Sequence, residues 1–211
     1  GIGAVLAKGI RHAAGTWEME DQAVHVKGLE PAGYDPRKLK GMGLSYATSD
    51  RGACHLRTTF YKPELAGMIS PEQIQGKAAM LVDFEDRLTI FDTLILCRFY
   101  RDLYPWDKLQ ELISLITGLQ TTQEDLRRIA SRVADMTRTF NLREGITVKD
   151  DTLPDKILKH PLPSGESLSR EELQTMLQDY YHHRGWDREG RPKKERTQNT
   201  ESRKQNGKSG R

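Results

Sequence analysis

In DTLILCRF, residues 92 to 99, a carboxylate, Asp92, stands five residues ahead of a thiol, Cys97, inside an apolar run. A thiolate is a metal ligand or a nucleophile, and a carboxylate accepts N–H groups. On one continuous helix a step of five residues rotates a side chain by about 500°, leaving the two roughly 140° apart. They converge only if the helix ends between them. The plainer reading is a buried cysteine acting as a small hydrophobe beside a helix-capping aspartate.

A second candidate is SDRGACHLR, residues 49 to 57, where His55 lies between Arg51 and Arg57. Imidazole flanked by guanidinium groups can face an anionic centre, with arginine gripping phosphate or carboxylate. A solvated surface turn accounts for the same residues. Cys54 and His55 are a poor nucleophile and base, because neighbours on an extended chain point to opposite sides. His182 and His183, about 100° apart on a helix, are a weak ligand pair better explained as favourable charge at a helix C-terminus. KGMGLS at 40 to 45 resembles a phosphate loop only loosely, lacking the preceding strand and the following Lys-Ser/Thr. Trp17, Trp106 and Trp186 are assigned to packing.

These residues need elements to hold them. The first, GIGAVLAKGIRHAAG, reads as one amphipathic helix. Residues 23 to 57 are rich in Gly and Pro, with one brief alternating stretch at 23 to 29 that could form a strand. Ser70 with Gln73 opens a predicted long helix running toward Cys97, and Leu109 to Leu119 predicts a second that stops near Gly118. A third is predicted from a capping box at Thr121 and Glu124, burying Leu126, Ile129, Val133, Met136 and Phe140. A fourth runs from Ser169 and Glu172 to Gly185. The fold class is therefore mostly α, irregular and helical with minor short strands.

Of the 211 residues, 36% are hydrophobic and 30% charged, as in a soluble globular protein. No apolar run reaches the length of a membrane span and no signal peptide is read, so a cytoplasmic location is expected. Two cysteines make a disulfide-stapled fold a poor explanation. The net charge of +3 is a property of residues 187 to 211, where nine Lys/Arg face four acids; the first 186 residues are net acidic. That segment has almost no large apolar residue, so the domain reading is 1–186 helical and 187–211 a basic, disordered tail, solubilising or polyanion-binding.

Together, VKGLEPAGYDPRKLKGMGLSYATSDRGACHLR, DTLILCRF, FNLREGITVKDDTLP and ELQTMLQDYYHHRGWDREGRP, in that order, resemble the C-terminal part of the aldehyde ferredoxin oxidoreductase family over roughly residues 1 to 192. The resemblance implies a tungsten (or molybdenum) bis-pterin enzyme that oxidises aldehydes to carboxylic acids and passes electrons through a 4Fe-4S cluster to ferredoxin. It implies that Cys97 is the last of four cluster thiolates, that Asp92 binds pterin with backbone help from Leu96, that Arg57 contacts pterin, and that His55 stands beside the metal and substrate. On an extended strand His55 and Arg57 would share a face. Cys54 acquires no role. Substrate specificity is expected from loops such as Tyr34 to Arg37. Where the family often has glycine before the Leu-Cys pair, this chain has Ile95, and Arg98 follows the cysteine.

The family's C-x-x-C-x-x-x-C run and N-terminal pterin-binding domain are not in the sequence. The expectation is thus the C-terminal portion of a protein roughly three times longer, inactive by itself, with the missing N-terminal portion as partner; a homodimer is one assembly this allows. The rival is a stand-alone helical interaction module whose basic tail anchors a polyanion.

Overall fold

The computed structural model describes residues 1–193, and among these it is almost wholly helical. The helices are α1 (Ile2–Leu6), α2 (Ile10–Thr16), α3 (Lys40–Thr48), α4 (Tyr61–Leu65), α5 (Lys77–Thr93), α6 (Trp106–Thr117), α7 (Gln123–Arg143), α8 (Asp155–Lys159) and α9 (Arg170–Arg184), with 3-10 turns at Arg98–Leu103 and Val148–Asp150. Extended pairing among the described residues is limited to two isolated bridges. The chain divides into two compact units, one of Gly1–Phe84 with Thr147–Tyr180, the other of Glu85–Ile146 with the chain from Tyr181.

The first unit is organised around α3. Gly41 through Ala47 are all buried, so the helix has no polar face, and its sequence carries no helical period. This is why a helix escapes detection in a segment that reads as loop. Its glycines permit close approach. A Cβ on Gly41 would lie 2.3 Å from the Phe60 ring, and one on Gly43 would lie 2.8 Å from Leu168.

Both ends of α3 carry backbone groups without helical partners, and burial denies them water. At the N-terminus Glu64 accepts from the Gly41 amide at 2.8 Å and the Met42 amide at 3.1 Å. Glu64 is itself bound by Lys77, both side chains being fully buried, and Lys77 donates also to the Ser70 carbonyl. At the C-terminus Lys27 donates to the carbonyls of Ala47 at 2.6 Å and Ser49 at 3.1 Å, and pairs with buried Asp151 at 2.8 Å. An anion thus meets the positive end of the helix and a cation the negative end. Burial pushes the Glu64 carboxyl up and the Lys77 ammonium down from their ordinary values, while their mutual bond opposes both shifts.

The second unit packs Leu88, Ile90 and Phe91 of α5 against Trp106 and Leu109 of α6 and Leu126 and Ala130 of α7. In the same unit Arg184 is buried with its guanidinium on Asp86 at 2.6 Å and on Glu85. Helix α6 ends with Gly118 in the left-handed region, as predicted, and α9 starts with Ser169 and Glu172 capping each other.

Several expectations are corrected. The first segment is two short helices separated at Gly9, and α5 begins at Lys77, six residues after the predicted first helical residue, Pro71, because Gly76 (φ 79°) breaks the run. The alternating stretch at 23 to 29 is a tight turn in which Val26 and Leu29 exchange 3.0 Å hydrogen bonds around Lys27 and Gly28, both at positive φ. The α7 capping box is Thr122 with Asp125, one residue beyond the predicted pair.

Helix α7 also turns a different face inward. Leu126, Ala130, Asp135 and Arg138 are buried, whereas Met136 and Phe140 are exposed. Asp135 accepts the Trp186 indole N–H at 2.6 Å, and Arg138 donates to the Gly190 carbonyl at 2.8 Å. Residues 187–193, grouped with the tail on composition, form a turn in which the Asp187 amide donates to Arg191 O at 2.9 Å. Residues 194–211 lie outside the described residues. Trp106 and Trp186 are buried, but Trp17 is 44% exposed.

Removing one partner from a buried ion pair strands the other charge. Glu64→Ala is expected to cost about 3–5 kcal/mol, with Glu64→Gln costing less because it keeps an acceptor for the α3 amides. Denaturant midpoints of the two variants check this, and a loss below about 1 kcal/mol for Glu64→Ala would show that the pair does not hold α3.

Candidate functional site

The sequence-predicted residues fall in both units: His55 and Arg57 in the first, Asp92, Leu96 and Cys97 in the second. In the first unit, residues 49 to 57 leave the C-terminus of α3 directly, so their start is set where Lys27 holds Ser49. They are not extended. Residues 55 to 58 form turns, which removes the shared-face argument for His55 and Arg57. The Arg57 Nε donates to Asp50 Oδ1 at 2.9 Å. Half-buried His55 packs on two tyrosines, its ring centroid 5.8 Å from Tyr34 and 6.4 Å from Tyr61.

Tyr34 and Tyr61 stack face to face at 4.1 Å, with 7° between their planes. An aromatic pair of this kind helps to fix the orientation of an imidazole packed on it. The sequence reading places Tyr34 in a specificity loop and passes over Tyr61, since nothing in the spacing of residues 34 and 61 reports a stack. Tyr34 also lines a cleft of about 240 Å³ with Pro36, Arg37 and Ile157. Arg37 is held there by Asp35 through both carboxylate oxygens, which keeps the Asp35 carboxyl below its ordinary value. Cys54 is buried, with Arg51 Nη2 2.9 Å from its sulfur.

In the second unit, α5 ends at Thr93, between Asp92 and Cys97. The end is a Schellman motif: the Leu96 amide donates to Phe91 O at 2.9 Å and the Ile95 amide to Asp92 O at 3.1 Å. Leu96 packs against the core cluster that contains Phe91, the apolar contact this motif favours. The residue between must be left-handed, and Ile95 is, at φ 58°. That position ordinarily takes glycine, because a β-branched side chain is strained there. Helix α9 ends with the same two bonds, from Trp186 to Tyr181 and Gly185 to His182, around a glycine, Gly185, at φ 70°.

Cys97 follows in extended conformation at the start of the 3-10 turn, and its side chain is exposed. The expectation of a buried cysteine is therefore corrected. Cys54 is the buried one. Arg98 grips Asp92 with Nε on Oδ1 at 3.0 Å and Nη2 on Oδ2. Among the described residues no three His, Cys, Asp or Glu side chains converge as a metal-binding group. Cys97 thus belongs to no such group among the described residues. His182 and His183 are exposed on the last turn of α9, their rings edge to face. Among the described residues no helix is long and apolar enough to cross a membrane.

Residues 1–201 match the family model described as aldehyde ferredoxin oxidoreductase, domains 2 and 3. The tungsten-containing aldehyde ferredoxin oxidoreductase of Pyrococcus furiosus is 35% identical over 202 residues, covering 93% of this chain and 33% of that protein. Its counterpart in Thermococcus kodakarensis is 34% identical over 203 residues, covering 93% and 34%. The WOR-like subunit of an aliphatic sulfonate oxidoreductase of P. furiosus is 28% identical, covering 92% and 31%. The chain spans about a third of the length of the curated relatives it matches. Among solved structures, the active site complex BamBC of benzoyl coenzyme A reductase with 1,5-dienoyl-CoA shares the fold, with a TM-score of 0.68 at 20% identity over 100% of this chain and 39% of that one.

The Ile95 side chain is 93% exposed, so glycine there would relieve strain without emptying any core space. Left-handed backbone costs a side-chain-bearing residue about 1–2 kcal/mol, and the greater freedom of glycine in the unfolded chain returns about half of that. Ile95→Gly is expected to stabilise the chain by about 1 kcal/mol and raise its thermal midpoint by about 2–4 °C. Calorimetry decides; an unchanged or lower midpoint would show that Ile95 is not strained.

Proposed function

The chain belongs to the aldehyde ferredoxin oxidoreductase family, and from that premise we propose that it is the helical C-terminal portion of a tungsten-pterin oxidoreductase that oxidises aldehydes to carboxylic acids. The observation that supports this most is the end of α5. A helix stop between Asp92 and Cys97 turns out a carboxylate and an exposed thiol within one short turn.

The donor chemistry fits the groups the family implies. An exposed cysteine at the mouth of a turn can give a thiolate to a 4Fe-4S cluster, its fellow ligands coming from the N-terminal portion of the longer protein. Asp92 is 42% exposed and gripped by Arg98, and a carboxylate accepts N–H groups. Such a group suits the N–H edge of a pterin, with Leu96 lending backbone contacts; Arg57, taken by itself in the first unit, would offer a cation to a pterin. When bound, the tungsten-pterin and the cluster supply the two-electron oxidation and its onward transfer to ferredoxin.

The residues of this chain bind, orient and carry protons. Conversion of an aldehyde and water to a carboxylic acid releases two electrons and two protons. His55, held against Tyr34 and Tyr61, can donate a hydrogen bond to the aldehyde oxygen and take up one of those protons. The cleft beside Tyr34 is a part of the first unit suited to selecting the rest of the substrate.

The reading is tested on the complete protein purified without oxygen. Stoichiometric tungsten with about four irons is expected; absence of both metals despite adequate supply would favour a helical interaction module instead. Cys97→Ala should lose cluster iron. His55→Ala should retain tungsten and iron while turnover falls by about 10²–10⁴-fold, and unchanged turnover would remove His55 from the mechanism.

A further inference from the structure

Asp92 lies in the last turn of α5, at the negative end of the helix dipole. A carboxylate is disfavoured there, and the helix has no basic residue of its own in that turn. Arg98 supplies the cation from beyond the helix, one residue after Cys97. Its Nε and Nη2 meet the two oxygens of Asp92 separately, a fork that fixes the plane of the carboxylate as well as neutralising it.

The same fork closes the segment from Thr93 to Cys97. Inside that loop lie the two Schellman bonds and the strained Ile95. Arg98 is in turn held from behind. Its carbonyl accepts from Arg101 Nη1 at 2.7 Å, and Arg87 on α5 donates to the carbonyls of Arg101 at 2.7 Å and Tyr104 at 3.3 Å. The 3-10 turn is thereby tied back to the helix it leaves.

We propose that Arg98 is a positioning residue, setting both the Asp92 carboxylate plane and the turn that presents Cys97. The role rests on the cofactor assignments made above for those two residues, and it requires arginine, since lysine offers a single point charge with no fork.

The test has two readouts. In the complete protein, hydrogen exchange at the Ile95 and Leu96 amides is measured for Arg98→Gln, Asp92→Asn, the double variant and Arg98→Lys. Each single change is expected to speed exchange about tenfold, the double change no more than either, and lysine to fail as a rescue. In the complete metal-loaded protein, iron release to a chelator should run at least about tenfold faster in Arg98→Gln. Unchanged exchange, or exchange effects that multiply in the double variant, would overturn the positioning role. Faster exchange with unaltered iron release would reduce the fork to a structural contact and overturn it equally. A complete wild-type protein without iron would sink the cofactor assignments instead, and is told apart because the exchange coupling would persist.

Discussion

A helix buried on every side has nowhere to put the groups at its ends, and α3 of the first unit meets that constraint with two ion pairs. Glu64 takes the first amides and Lys27 the last carbonyls, and each is balanced by a second charge, Lys77 or Asp151. A charge taken from water costs several kcal/mol unless it is paired and its other bonding sites are filled. Here the backbone fills them. The arrangement joins residues 27, 41, 64, 77 and 151, which are far apart in sequence, so the path of the chain in this unit is specified by polar contacts as much as by apolar area. The turn that carries His55 departs from the end of α3 that Lys27 holds.

The second unit uses charge differently. Arg184 lies between Glu85 and Asp86, and Arg98 grips Asp92. The first is buried. The second is partly open to solvent, and its Coulomb energy is accordingly modest. Its effect is geometric. Two parallel bonds fix orientation in a way that a single contact of equal strength cannot.

The legible parts of the fold were those with a period and a cap. Helices α6 and α9 show both, and Gly118 and Gly185 mark their ends. Helix α3 shows neither, because a helix surrounded by protein has no polar face to alternate with. The α7 pattern was misread for a related reason. Periodicity locates a face, but burial is decided by what covers it, and the turn at 186 to 192 places Trp186 and Gly190 where Asp135 and Arg138 can satisfy them. For the candidate site, residue types and the need for a helix stop between Asp92 and Cys97 could be read directly. The exposure of Cys97, the tyrosine stack around His55 and the Arg98 fork could not, since each depends on where the chain turns rather than on local spacing.

That turning is itself the most informative departure from local rules. At the end of α9 the left-handed position is filled by Gly185, the residue that adopts it freely; at the end of α5 the same hydrogen bonds enclose Ile95. An isoleucine that is 93% exposed gains no packing to offset the strain. The bend therefore persists because its surroundings hold it: Leu96 anchored in the core on one side, the Asp92–Arg98 fork on the other. Strained backbone that its neighbours over-determine is characteristic of sites where geometry matters more than stability. Here it sits between the carboxylate and the thiol whose spacing first marked this stretch of the chain.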